Sequence, residues 1–161
     1  MKKAFSLVEI IIILFIISIG MLGVLSLIVQ NIQTQTYNKN NLIAFQLAQE
    51  GVELIRMVRD SNWQSGRDFL SGLPRGNVYM DFDDTEPHVL ESEGTNQAHA
   101  LRLDDEGFYR HDGSGPSSGF SRLITLTSPD SNTLQVDVRI TWKERNRDSS
   151  YDLQAVLYDW K

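Results

Sequence analysis

Glu9 is the one charged residue in a long apolar run. From Phe5 to Val29 the chain reads FSLVEIIIILFIISIGMLGVLSLIV, and its only other polar side chains are Ser6, Ser18 and Ser26. These about 25 residues are enough to cross a hydrocarbon core of ~30 Å as a helix. An ionised carboxylate in mid-bilayer costs ~3 kcal/mol on insertion scales, so it calls for a cation. Lys2 and Lys3 are the nearest, and they belong in water. A cut just before Phe5 would create another, because the new α-amino group then stands four residues from Glu9. In a stack of staggered identical helices that amine would meet the Glu9 of a neighbour and pair two charges otherwise stranded in lipid. The alternative is an uncut anchor whose Glu9 snorkels to the surface.

Other residues with chemical potential are weaker. Asp81, Asp83, Asp84, Glu86 and His88 form one acidic cluster, and Asp104, Asp105, Glu106, His111 and Asp112 another. Oxygen-rich loops can hold Ca²⁺, but neither stretch has the EF-hand spacing, and two solvated acidic faces are the expectation. His88, His99 and His111 share no element and make no i, i+4 pair, which argues against zinc. Ser114 and Ser118 sit in a GSGPSSG turn rather than in a Gly-x-Ser-x-Gly elbow, and no glycine-rich phosphate loop is present. There is no cysteine, which excludes thiol nucleophiles, zinc-thiolate sites and disulfides. No constellation for catalysis emerges, so the chain is expected not to be an enzyme. Trp63, Trp142 and Trp160 could line a sugar or peptide groove; two of them fall on expected strands, and packing into the core is the expectation.

The elements that position these residues follow from periodicity. Lys2 and Lys3 hold the start of the chain in the cytoplasm and send the rest to the far side of a membrane crossed once. The apolar run ends at Val29-Gln30-Asn31, which is no signal-peptidase site, so the anchor is kept. Ser18, Gly20, Gly23 and Ser26 put small residues near one stripe of it, which lets membrane helices approach closely. QNIQTQTYNKNN, residues 30–41, leaves the membrane as helix. From Leu42 to Arg59 the apolar residues Phe45, Ala48, Val52 and Ile55 recur on one face, flanked by Ala44 and Met57. A single helix is thus expected from Phe5 to about Asp60, ended by Asp60-Ser61-Asn62, with Arg56 and Arg59 complementing its negative pole. Residues 61–119 read as loop with short edge strands at Val78–Phe82, Ala98–Leu103 and Phe108–Tyr109. Residues 120–161 read as an antiparallel β-meander: Phe120–Thr127, a turn at 128–132, Leu134–Lys143, a turn at 144–149, and Tyr151–Trp160. Leu134, Val136, Val138, Ile140 and Trp142 alternate strictly with polar residues, the mark of a strand with one buried face. The expected fold class is α+β, a long N-terminal helix packed on a C-terminal antiparallel sheet.

The N-terminal residues carry a resemblance. Lys-Lys-Ala-Phe-Ser-Leu-Val-Glu-Ile, followed by an unbroken apolar run, resembles the start of a class III prepilin, the precursor of type IV pilins and type II secretion pseudopilins. The resemblance implies cleavage between Ala4 and Phe5 by a membrane aspartyl prepilin peptidase, N-methylation of Phe5, and Glu9 as the assembly carboxylate. Ala4 stands where the family usually has Gly. Residues 1–4 are then the leader, 5–29 the membrane and filament-core helix, 30–60 its amphipathic continuation, 61–119 the variable region and 120–161 the sheet. The implied partners are other pilin or pseudopilin subunits in a helical filament, the processing enzyme, an assembly platform with a separate ATPase, and membrane lipid before assembly. The closing strands and the Ser-Ile-Gly-Met-Leu-Gly segment resemble PilV-like minor pilins. No cofactor is implied, although some pseudopilins bind calcium in this half of the domain.

Net charge bounds the alternatives. At −6 the chain offers no electrostatic footprint for nucleic acid, and loss of Lys2 and Lys3 would make it more acidic. The rival to a filament subunit is a membrane-tethered adhesive or carbohydrate-binding module that does not polymerise.

Overall fold

The computed structural model describes residues 6–90, 100–111, 115–145 and 147–160. One helix, α1 (Leu7–Gln64), is followed by seven strands: β1 (Gly76–Tyr79), β2 (His88–Val89), β3 (Ala100–Leu103), β4 (Tyr109–Arg110), β5 (Ser117–Asp130), β6 (Thr133–Glu144) and β7 (Arg147–Tyr158). The chain forms two compact units, Met1–Asn40 and Asn41–Lys161. In the first, the described residues after Ser6 are all helix. Its hydroxyls satisfy themselves on the helix's own carbonyls: Ser18 Oγ donates to Leu14 O at 2.7 Å, Thr34 Oγ1 to Gln30 O at 3.0 Å and Thr36 Oγ1 to Ile32 O at 3.1 Å. That bonding satisfies these hydroxyls without a partner outside the helix, in a run that includes poor helix formers.

The second unit is α+β, the C-terminal part of α1 packed on an antiparallel sheet. Ala44, Leu47, Ala48, Gly51, Val52, Leu54, Ile55, Val58 and Asn62 form the buried stripe of the helix. The stripe is centred differently from the sequence expectation. Leu47, Leu54 and Val58 join it, Met57 faces out, and Phe45 is only half-buried, its ring set edge-on to Tyr151 at 5.8 Å. At Gly51 helix and sheet approach closely, since a Cβ there would lie 3.1 Å from Val138 Cγ1. The first proline of the chain is Pro74, and α1 passes the expected stop at Asp60-Ser61-Asn62 to end at Gln64. Gly66, at φ +67°, closes it, with Arg67 N donating to Asn62 O at 2.8 Å. Buried Asn62 then ties down the following loop through Nδ2, which donates to Ser71 O at 2.6 Å. With α1 ending at Gln64, Arg56 and Arg59 fall before its last turn rather than at its negative pole, and they pair with Glu53 and with Asp60.

In the sheet, β5, β6 and β7 form the meander, with registers such as Ile124↔Val138 and Val138↔Leu153. The strands overrun their expected ends. β5 continues to Asp130, past Pro129, where the register shifts and Ser128 Oγ bridges Asp130 O and Thr133 O at 2.7 and 3.0 Å; an irregularity of this kind tolerates a proline. Trp160 lies beyond β7, which stops at Tyr158. The other edge of β5 carries two strands in succession, β1 beside Ile124–Leu126 and β3 beside Ser117–Ser121, each with its own outer partner, β2 and β4. The region read as loop with short edge strands thus completes one seven-stranded sheet, with β1, β3 and β4 close to the expected strands and β2 added to them.

Candidate functional site

Glu9 sits in the first turn of α1, where the helix's positive pole favours a carboxylate. Around it Leu7, Val8 and Ile10 through Ile13 are exposed in the single chain, as are the large apolar residues on to Val29. Glu9 has no ion-pair partner among the described residues. The expected cut and methylation positions, Ala4 and Phe5, lie outside the described residues. The helix is long and apolar enough to cross a membrane. Gly20 and Gly23 meet nothing of the chain itself, since a Cβ at either would have no neighbour within 4 Å.

The acidic clusters are not two solvated faces. Asp81 is only 5% exposed, and its carboxylate accepts His111 N at 2.9 and 3.1 Å and meets His111 Nδ1 at 2.6 Å. Burial pushes the Asp81 carboxyl up, but the His111 bonds and charge, with the nearby Arg122 guanidinium, outweigh it and hold the group below its ordinary value. One residue from each cluster therefore forms a buried pair. His88 and His111 share no element, as expected, yet they flank Tyr79 with ring centroids 4.9 and 5.1 Å from it, and His88 Nε2 reaches Asp84 at 3.2 Å. Arg110 bridges the clusters again, bonding Asp83 and Asp104 at 3.0 Å each. Asp104 lies below its ordinary value, chiefly because the Phe108 N–H donates to it, aided by Glu106 N–H and Arg110. Among the described residues no three His, Asp or Glu side chains converge as a metal-ion set. His99, Asp112 and Ser114 lie outside those residues. Ser118 is structural, its Oγ donating to Leu101 O at 2.6 Å.

A residue missed from sequence organises this unit. Arg122 is fully buried on the inner face of β5, between Phe120 and Ile124. Its Nη1 reaches Glu50 Oε1 on α1 at 2.8 Å, and its Nη2 donates to Met80 O at 2.8 Å and lies 3.6 Å from Asp81 Oδ1. The signal was present, because Arg122 occupies an inward position of the period-two pattern.

The tryptophans divide. Trp142 is buried against Phe120, whereas Trp160 is 72% exposed and leans edge-on against Trp63 at 4.9 Å, correcting the expectation that both strand tryptophans are core. Trp63 carries Arg59 over its ring at 4.4 Å and donates its Nε1–H to Asp159. No protein-family model, curated protein or solved structure matches this chain.

Proposed function

We propose that this chain is a structural subunit of a type IV pilus-like or type II secretion pseudopilus filament, a minor one, made as a membrane-inserted precursor. The observation that carries the reading is Glu9, an acid in the first turn of a helix with an exposed apolar surface, paired with no cation among the described residues. Cleavage between Ala4 and Phe5 supplies the amine, methylation of Phe5 leaves it charged, and Glu9 of an adjacent subunit accepts it. Moving the apolar stretch from lipid into a bundle of like helices then sacrifices little hydrophobic burial while it neutralises two charges.

Mass spectrometry of protein from filament-bearing cells should find a chain that begins at methylated Phe5. Glu9→Ala should leave membrane insertion intact and remove the subunit from sheared filaments. An intact Met1 leader in assembled protein, or filaments that incorporate Glu9→Ala normally, overturns the proposal. Exposed Trp160 beside Trp63 favours the second reading, a tethered glycan-binding module. On that reading Glu9→Ala leaves surface display and ligand binding unchanged, and Trp160→Ala abolishes binding.

A further inference from the structure

Phe82, from the loop after β1, and Phe108, from the turn before β4, meet at the surface with ring centroids 4.8 Å apart, 38% and 47% exposed. Exposed carboxylates neighbour both rings along the chain: Asp83 follows Phe82, and Asp105 and Glu106 stand in the turn that leads to Phe108. Half of this edge already holds an arginine. Arg110 lies over the Phe82 ring at 4.4 Å while it bonds Asp83 and Asp104. A phenyl face beside carboxylates suits a guanidinium, which stacks and forms paired hydrogen bonds at once. On the Phe108 side, Asp105 and Glu106 make no ion pair among the described residues.

The same chain carries the complement. Lys143, Arg145 and Arg147 stand exposed at the β6–β7 hairpin and make no ion pair among the described residues. Arg145 has φ +48°, in the left-handed region where asparagine or glycine sits more easily in a two-residue hairpin. An arginine is thus displayed at the tip in a conformation other residues adopt at lower cost. β6 and β7 lie on one side of β5 and the aromatic edge on the other. Within one subunit no ion pair joins the two among the described residues.

We infer that the Phe82–Phe108 edge docks Lys143, Arg145 and Arg147 of a second copy of this chain. The surfaces differ, so the contact is heterologous and repeats head to tail; such contacts propagate into helical filaments when the rotation does not close. This inference rests on the filament reading above, with copies of this chain standing next to one another even where it is the minor subunit, and names one ectodomain contact within it.

The test exploits the absence of native cysteine. Thr85→Cys on the aromatic edge and Asp148→Cys beside the hairpin leave the proposed contacts in place. The full-length double variant, oxidised in membranes or in filaments, should give a ladder of dimers, trimers and higher species, where each single variant stops at dimers. Adding Arg145→Glu and Arg147→Glu should cut the ladder about tenfold, equivalent to ~1.4 kcal/mol. Mixing that Asp148→Cys hairpin-reversed chain with a Thr85→Cys chain bearing Asp105→Arg and Glu106→Arg should restore the cross-link, and raised salt should weaken the wild-type contact. Unchanged tryptophan fluorescence verifies that each variant is folded. Absence of the ladder, a ladder indifferent to charge reversal, or a two-fold dimer as end product overturns the inference. If filaments depend on Glu9 but show no ladder, only this contact is wrong. A ladder from chains never trimmed at Phe5 keeps the contact and removes the filament reading.

Discussion

Arg122 should be worth more for its shape than for its charge. Its side chain is fully buried, and Met80 O and Leu47 O take donors from it at 2.8 and 3.5 Å alongside Glu50. Arg122→Ala deletes two stem methylenes, at about 0.8 kcal/mol each, opens a cavity and strands at least one buried carbonyl at about 1–3 kcal/mol. Against that, the protein no longer desolvates a guanidinium, and Glu50, its side chain 37% exposed, turns to water. The net expectation is a loss of about 4 kcal/mol. Arg122→Met keeps the stem and removes the charge, so it should lose only about 1–2 kcal/mol, because replacing a buried ion by an apolar side chain of similar volume is often close to neutral. Glu50→Gln leaves the cation with Met80 O and a distant Asp81 and should cost about 2 kcal/mol. The two changes together should cost less than their sum, since they share one interaction. Urea unfolding of the full chain in mild detergent, followed by tryptophan fluorescence, measures all four. If Arg122→Met is as damaging as Arg122→Ala, the electrostatic pairing and not the packing holds α1 to β5, and the reasoning fails.

Gly51→Ala gains about 1 kcal/mol of helix propensity but brings a methyl to 3.1 Å from Val138 Cγ1, so it should be near neutral. Gly51→Val should lose about 2 kcal/mol by overpacking, read as a lower urea midpoint. Gly115→Ala would set a Cβ 1.9 Å from Leu103 O, a backbone atom, and should destabilise the β3–β5 pairing by at least about 3 kcal/mol in the same assay. Asp81 has a folded-state pKa below its unfolded value of 3.8, so its stabilising contribution is complete above that value and lost as pH falls through the lowered one. Asp81→Asn should therefore be less stable than wild type at neutral pH and lose less on acidification to about pH 3. A wild-type acid limb no steeper than that of Asp81→Asn would refute the assignment.

The legible parts of this fold are those in which one period dominates. Leu134 to Trp142 alternate without interruption, and β6 follows them residue for residue. In α1 the period was visible but its phase was not. Counting only Phe45, Ala48, Val52 and Ile55 drew the stripe too narrow, because Leu47, Leu54 and Gly51 set its centre through contact with the sheet. Within residues 76–110 three short strands were legible near their places, but β2 and the pairing of all four were not, for a different reason. β1 to β4 are two to four residues long and are held by pairing along one edge of β5, a non-local cause that no short window contains. The acidic clusters show the same limit. Asp81 and His111 look like surface residues in sequence, and only the β1 and β4 ends brought together reveal one buried pair. Glu9 needed no fold at all, because a lone charge in an apolar run is visible as composition.

Glu9 and Arg122 pose one physical problem with two solutions, and the difference can be tested. Arg122 is a buried cation whose anions, Glu50 and Asp81, are supplied within its own unit. Glu9 is an anion on an apolar helix with no such partner among the described residues, so its neutralisation has to come from outside them. Glu9→Gln separates a requirement for charge from one for polarity. Glutamine keeps the size and hydrogen-bonding capacity of the side chain and enters lipid more easily, yet it cannot compensate an amine. If the cation is the cleaved, methylated terminus of a neighbour, the substitution strands that charge in the bundle at about 3–5 kcal/mol, roughly a hundredfold or more in assembly. Glu9→Gln should then be missing from sheared filaments as completely as Glu9→Ala, while its membrane fraction matches or exceeds wild type. A snorkelling anchor predicts the opposite, a glutamine variant indistinguishable from wild type in every fraction. Quantifying the subunit in membrane and filament fractions of the two variants decides between them, and wild-type incorporation of Glu9→Gln would end the case for an intersubunit ion pair.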